Sequence, residues 1–270
     1  MSNHFKGTAL VTGASSGIGA IYADRLAARG YDLILVARNR ARLDALAARI
    51  SDRTGRSVEV VAADLGQPAD LARVETILRT DASINLLVNN AGIGAPVPTW
   101  SADIDLMTQM IDINVTALAR LTYAVAPGFV ARGGGTIINI ASVVALAPEF
   151  LLNSVYGAGK AFVLALSQSL HHELADKGVR VQVVLPGATA TDFWDSSGVP
   201  LAGVPAEITM AAEDMVDAAL AGFDLGELVT IPSLPDSAAW DRFDAARAAL
   251  VPDLSRAEPA DRYTLATVPA

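Results

Sequence analysis

Ala9-Leu10-Val11-Thr12-Gly13-Ala14-Ser15-Ser16-Gly17-Ile18-Gly19 is the stretch on which the fold turns. Residues 9–11 are apolar and strand-like, and the chain then meets glycines at 13, 17 and 19. Directly after them Ile18, Ile21, Tyr22 and Leu26 fall on one helical stripe. A strand, a glycine turn and a helix in this order set backbone N–H groups and a positive helix end against a pyrophosphate. The spacing differs from the commoner G-x-G-x-x-G, and a glycine turn alone is weak evidence. Opening a strand–helix alternation, it makes nucleotide binding the expectation. Gly13, Ser15, Ser16, Gly17, Ile18 and Gly19 are the candidate contacts.

The alternation continues down the chain. Strands are expected at 9–11, 32–37, 58–63, 86–89, 136–141 and 179–185, with a last one near 228–231. Several are apolar at every position, as when both faces of a sheet are covered. Between them Leu43, Leu46, Ala47 and Ile50 form a second helical stripe, and Leu71, Val74, Ile77 and Leu78 a third. The pattern predicts an α/β chain of 270 residues forming one Rossmann domain around a doubly wound, seven-stranded parallel sheet. Two regions fall outside it. Residues 188–210 are rich in Gly, Pro and Ala with Phe193 and Trp194 near the start, and read as a substrate lid. Residues 233–270 read as an extension with a helix at 238–250 and no catalytic role.

Composition narrows the function. Hydrophobic residues make up 52% and charged residues 18%, the latter against about 25% in soluble domains. That balance predicts subunit surface buried in an oligomer. The apolar stretch 136–152 is broken by Asn139, Ser142, Pro148 and Glu149, so no membrane span is expected. No signal-peptide core precedes the first strand, and a cytoplasmic protein is the expectation. The chain has no cysteine, and His4, His171 and His172 lack metal-ligand spacing, so no metal site is expected. The net charge of −9 argues against nucleic acid as a partner.

The ends of the later strands carry the remaining candidates. The second leads into Val36-Ala37-Arg38-Asn39-Arg40, beside the place of an adenosine ribose. An acid there pairs with a free 2′-hydroxyl, whereas an arginine fits a 2′-phosphate. Arg38 therefore favours NADP(H) over NAD(H). Asp64, followed by Leu65, closes the third strand, where its carboxylate is placed for an adenine amino group. Asn89-Asn90-Ala91-Gly92 closes the fourth, with small residues that let backbone approach a cofactor. Finally, Val155-Tyr156-Gly157-Ala158-Gly159-Lys160-Ala161 puts a phenol and an ammonium four residues apart, on one face of a helix. A nearby cation favours the phenolate, pulling a phenol pKa from about 10 toward neutrality.

Taken together these motifs resemble the short-chain dehydrogenase/reductase family over residues 5–232. Residues 12–19 are similar to its T-G-x-x-x-G-x-G loop, 89–92 to its N-N-A-G and 156–160 to its Y-x-x-x-K. Ser142 matches its catalytic serine and Asn114 its helix asparagine. Pro186 and Gly187, with Thr191 beyond, resemble the segment that contacts the nicotinamide carboxamide. The resemblance implies hydride transfer between nicotinamide and a carbonyl or carbinol carbon. It implies that Tyr156 passes the proton, that Ser142 binds the reacting oxygen and that Lys160 lowers the tyrosine pKa and binds the nicotinamide ribose. It further implies that Asn114 holds a water linking Lys160 to solvent. Tyr156, Lys160 and Asn90 to Gly92 also join the expected cofactor contacts.

Two departures stand out. Ser142 and Tyr156 are fourteen apart, one more than in close relatives, and Ser154 is a rival hydroxyl. Ser15 and Ser16 stand where many NADPH-preferring members carry a basic residue, leaving Arg38 as the phosphate clamp. The substrate pocket is expected from residues 143–155, 95–100 and the lid, with walls that suit an apolar carbonyl compound. A ketoacyl-carrier-protein reductase and a cofactor-sensing regulator without turnover are the competing readings. The first calls for a basic docking patch, the second for a broken Ser/Tyr/Lys set. Small residues Ala158, Gly159, Ala161 and Ala165 on the tyrosine helix suggest close pairing of subunits.

Overall fold

The computed structural model describes residues 6–150 and 154–263. Its first strand, β1 (Thr8–Thr12), is buried at every position. Alternate residues of it serve different cores. Ala9 and Val11 face one side with Leu33 and Leu35 of β2 (Asp32–Ala37), and Leu10 faces the other with Ile34 and Val36. That is the two-residue period of a strand covered on both faces.

On the first face lie α1 (Gly17–Ala28), α2 (Arg40–Thr54) and α8 (Ala212–Leu225), contributing Tyr22, Leu43, Ile50 and Met215. On the second, α3 (Pro68–Thr80) and α5 (Leu118–Ala131) contribute Val74, Leu121 and Phe129. The remaining strands are β3 (Val58–Ala62), β4 (Ile84–Asn89), β5 (Gly135–Ile140), β6 (Val179–Val184) and β9 (Val229–Thr230). They form the expected seven-stranded sheet in the order β3-β2-β1-β4-β5-β6-β9, every pair parallel. The order reverses between β1 and β4, which opens a crevice at their C-terminal ends.

Two of the three apolar stripes also hide a charge that periodicity passes over. Asp24 of α1 and Glu75 of α3 are buried. Asp24 meets Arg53 of α2 at 2.6 Å and Arg25 at 3.1 Å; Glu75 meets Arg79 at 2.8 Å and also Arg120 of α5. Each carboxylate thus ties its helix to a neighbour, the condition under which such groups are found inside. A buried polar string links the other layers. The Asn89 amide donates to Thr122 Oγ1 at 3.0 Å and to Asn139 Oδ1 at 2.9 Å, and Asn139 donates to Ser167 Oγ at 2.9 Å. These residues belong to α5, β4, β5 and α6 (Ser154–Leu174).

The lid is more ordered than a Gly/Pro-rich loop suggests. Its base is a parallel pair of short strands, β7 (Thr189–Ala190) and β8 (Met210–Ala211), and it contains one helical turn, α7 (Phe193–Ser196). Of the apolar stretch 136–152, residues 136–150 are divided between β5 and the turns after it, and 151 and 152 lie outside the described residues. Among the described residues the helical run Ile104–Ala131 is the one long and apolar enough to cross a bilayer by length and composition, with half of its most apolar window buried in the fold.

Residues from Ser233 form a compact unit of their own, dividing from the sheet domain after Pro232, where the extension was expected to begin. It holds α9 (Ala238–Ala248), no residue of which is buried, and Trp240 and Phe243 stack with centroids 5.5 Å apart.

Phe129 is fully buried and its ring lies directly over Gly135. Phe129→Ala is expected to cost about 3–5 kcal/mol of unfolding free energy, read as a lowered urea midpoint. An unchanged midpoint would contradict the packing described.

Candidate active site

At the C-terminal end of β1 the crevice is shaped by one side chain from each neighbouring strand. Thr12 Oγ1 donates to Val88 O at 3.2 Å and accepts from the N–H groups of Asn90 and Ala91, each at 3.0 Å. The Asn90 amide returns the bonds, donating to Thr12 O at 2.9 Å and Gly13 O at 3.2 Å. A side chain at Gly13 would run into Asn90 and Ala91, and one at Gly19 into Gly13 O and Asn90. Gly13 and Gly17 have φ of 65° and 51°, the left-handed region that glycine occupies freely. Ser16 caps α1 in an extended conformation without a side-chain cap bond, so the first-turn N–H groups of the helix have no capping side chain. The Ile18 side chain packs on the core, leaving its backbone for the crevice. This is a cradle of backbone donors at a helix N-terminus, and it fits the phosphates of a dinucleotide.

Arg38 follows β2 and is exposed. Among the described residues it has no ion-pair partner, whereas Arg40 pairs with Asp44 at 2.8 Å and Arg42 with Asp192 at 2.9 Å. Asp64 Oδ1 accepts from Gly66 N at 3.0 Å and so shapes the turn after β3. Leu65 sends its side chain into the core, so only its backbone remains for a ligand.

The predicted catalytic residues converge. Ser142 sits just beyond β5, and Tyr156 and Lys160 lie in the first turns of α6. Despite the extra residue between them, Ser142 and Tyr156 are joined by a side-chain hydrogen bond. Ser142 also donates weakly to Pro186 O at 3.4 Å and caps the turn Val143–Ala145. Lys160 is buried, donates to Ile140 O at 2.9 Å and stands 5.6 Å from the centre of the Tyr156 ring. The rival hydroxyl, Ser154, is exposed and bonds Thr99 Oγ1 at 3.3 Å.

Asn114 lies in a π-helical turn, Asp112–Ala117, between α4 (Ile104–Ile111) and α5. Such turns recur at functional sites. Its amide clamps one residue, accepting from Ile93 N at 2.9 Å and donating to Ile93 O at 2.8 Å. Gly92 makes room for this: a Cβ there would sit 3.1 Å from Asn114 Oδ1 and 3.8 Å from Lys160 Nζ. The Asn114 side chain thus fixes the segment that follows the cradle beside Lys160.

A cavity lies beside the two residues that precede Tyr156, and the lid covers Tyr156 itself. The cavity, of about 240 Å³, is lined by Val97, Thr99, Ser154 and Val155, from segments expected at the pocket, and by Ala102, Ile104 and Met107, which were not expected. From the lid, Phe193 lies with its ring centre 5.9 Å from that of Tyr156 and packs against Gly94. Thr191 stands over Gly17, its methyl 3.0 Å from where a Cβ would be. Gly187 accepts from Thr189 Oγ1 at 3.1 Å, closing the turn toward β7.

A model of the short chain dehydrogenase family matches residues 7–199. The chain belongs to that family. Among solved structures, this dehydrogenase is 53% identical to a short-chain dehydrogenase from Sphingobium yanoikuyae in complex with NADPH, with a TM-score of 0.92 over 95% of this chain and 100% of that one. It is 45% identical to a bulky-bulky ketone specific alcohol dehydrogenase from Comamonas testosteroni, with a TM-score of 0.88 over 97% of this chain and 100% of that one. Among curated proteins, a very-long-chain 3-oxoacyl-CoA reductase of Anas platyrhynchos is 39% identical over 188 residues, 68% of this chain. The chain spans about 60% of the length of the curated relatives it matches.

The electrostatics of the dehydrogenase's site depart from expectation. Burial pushes the Tyr156 phenol up to about 12, against which the Ser142 hydrogen bond works in the lowering direction. Burial pushes Lys160 down to about 8. Burial outweighs the pull of the ammonium, which stands 5.6 Å from the centre of the ring with its Nζ donating to Ile140 O. The pair therefore stands as a protonated phenol beside a lysine that is charged at neutral pH. With saturating coenzyme, carbonyl reduction is expected to hold level near neutral pH and to fall as pH rises through about 8, where Lys160 loses its charge. A rate that stays level well above that pH would contradict the role of the ammonium.

Proposed function

We propose that this oxidoreductase interconverts a bulky apolar ketone and its secondary alcohol with NADP(H). The observation that carries the reading is the cluster of Ser142, Tyr156 and Lys160 beside the glycine cradle, with the exposed Arg38, which makes no ion pair among the described residues, at the adenosine end. The coenzyme, when bound, supplies the hydride for reduction and accepts it in the reverse direction. Gly13, Ser15, Ser16, Gly17 and Gly19 are the residues to hold its phosphates, Arg38 its 2′-phosphate, Asp64 the adenine, and Lys160 the nicotinamide ribose. Pro186, Gly187 and Thr191 border the nicotinamide.

The chain's own work is on the carbonyl oxygen. Ser142 hydrogen-bonds it and Tyr156 gives it a proton as negative charge develops there. A phenol held near 12 is fully protonated at neutral pH, yet far more acidic than the alkoxide it quenches. The raised pKa therefore suits reduction. Lys160 stabilises the phenolate that is left behind, at a range set by its hold on Ile140 O. Phe193 and the cavity wall of Val97, Ile104 and Met107 exclude water and favour apolar groups on both sides of the carbonyl. The name of the Comamonas relative supports a ketone with bulk on both sides.

The curated relatives favour a second reading, reduction of a 3-oxoacyl thioester. The intact catalytic set speaks against a sensor without turnover. We assign the protein to the cytoplasm and to a homodimer or homotetramer. The exposed face Ala158, Phe162 and Ala165 of α6 supports subunit pairing, whereas Gly159 packs on Val115 of its own subunit.

A panel of diaryl ketones, small aliphatic ketones and 3-oxoacyl thioesters, assayed with NADPH and NADH, tests the reading. Diaryl ketones with NADPH are expected to give the highest kcat/KM; thioesters ahead of every ketone would establish the second reading instead. Tyr156→Phe is expected to keep coenzyme binding while losing at least 99% of turnover, the scale of general acid catalysis. Arg38→Asp is expected to move the NADPH/NADH ratio of kcat/KM at least tenfold toward NADH, the loss of a charge-assisted phosphate contact. An unchanged ratio would remove Arg38 from that role.

A further inference from the structure

Three consecutive lid residues hold three different parts of the site. Thr191 stands over the glycine turn at Gly17. Asp192 reaches to the first turn of α2, where its Oδ2 accepts from Arg42 Nη1 at 2.9 Å. Phe193 covers Tyr156, its ring centre 5.9 Å away, and rests on Gly94. The sheet order shows what this spans. α2 follows β2 on one side of β1, whereas Tyr156 follows β5 on the other side. The strap of residues 191–193 therefore touches both sides of the crevice, α2 through Asp192 and Tyr156 through Phe193, while Thr191 rests on the cradle.

The two halves of this crossing differ in strength. Phe193 packs into the structure, and the base of the lid is held by the β7–β8 ladder, including Met210 N donating to Ala188 O at 2.9 Å. The adenosine-end anchor is a single ion pair whose side chains are 56% and 64% exposed. Among the described residues each is the other's only ion-pair partner. Asn39, which caps α2 by accepting from Arg42 N at 3.0 Å, fixes where the arginine leaves the helix. An exposed pair of this kind is weak and breaks readily, which is the property a releasable contact needs.

We propose that the Arg42–Asp192 ion pair is a latch that holds the lid strap across the coenzyme crevice, so that Arg42 is a positioning residue governing coenzyme release and the seating of Phe193 over Tyr156. Arg42 acts through Asp192 and needs no contact with the coenzyme. The inference rests on coenzyme binding in this crevice, as set out above, and adds a determinant on the far side of α2 from the catalytic residues.

The test follows coenzyme release by the fluorescence of the reduced nicotinamide, displacing bound NADPH or NADH with excess oxidised coenzyme in a stopped-flow instrument. The full chain is used as wild type, Arg42→Gln, Asp192→Asn and the double variant. Each single variant is expected to speed release about two- to fivefold, the range of an exposed ion pair, and by the same factor for NADPH and NADH. The double variant is expected to be no faster than either single one, as for two groups in one contact. Unchanged release in Asp192→Asn, or effects that multiply in the double variant, would overturn the latch. Acceleration by Arg42→Gln for NADPH alone would also overturn it, making Arg42 a direct phosphate contact. A wild type that binds neither coenzyme would overturn the coenzyme reading itself, and the latch with it.

Discussion

Asn90 spends its amide hydrogens on the carbonyls of Thr12 and Gly13, while Thr12 Oγ1 accepts from the backbone of Asn90 and Ala91. This reciprocal knot joins the ends of β1 and β4, the two strands between which the sheet reverses direction. On one side it bends the chain into the turn whose glycines leave the N-terminus of α1 open. On the other it launches residues 91–94 past the catalytic helix, where Asn114 catches Ile93 and Gly92 lies beside Lys160. Cradle and proton donor thus take their relative positions from one pair of polar side chains. Its bonds are worth only about 0.5–1.5 kcal/mol each in net stability; their value is geometric.

The candidate site brings together a partly buried phenol, Tyr156, and a buried ammonium, Lys160, on which desolvation acts in opposite senses. Desolvation disfavours the charged form of each, raising the phenol and lowering the ammonium. Tyr156 is held as a donor by its surroundings, and Lys160 is kept charged at neutral pH by a narrow margin. Ser142 ties Tyr156 to the end of β5, and the Ile140 carbonyl holds Lys160 beside them.

Much of this was legible in the sequence, for definite reasons. The strands are apolar on both faces, so their positions stood out, and Thr12 to Gly19 and Tyr156 to Lys160 are local motifs whose geometry follows from spacing. The serine was placed from the end of β5 although its separation from Tyr156 is unusual, because strand ends, not loop lengths, fix the site. What stayed hidden depends on contacts between distant segments. Asp192 and Arg42 are separated by 150 residues, and nothing in either neighbourhood marks them as partners. Asp24 and Glu75 interrupt apolar stripes, and each is paired with an arginine of a neighbouring helix as well as one of its own. The tyrosine–lysine spacing suggested a depressed phenol pKa, because spacing reports proximity and not desolvation. The lid's helical turn and β7–β8 ladder lie in a Gly/Pro-rich stretch that carries no period.

The central claim is that the site presents Tyr156 as a protonated donor before coenzyme or substrate arrives. Carbon-13 NMR of the tyrosine Cζ, with Tyr156→Phe to assign the resonance, reads that state directly. The account predicts that in the free protein the Tyr156 signal keeps the chemical shift of a neutral phenol throughout the range in which Lys160 titrates, around pH 8, and moves only toward about 12. A Tyr156 signal at the phenolate position at neutral pH would contradict it.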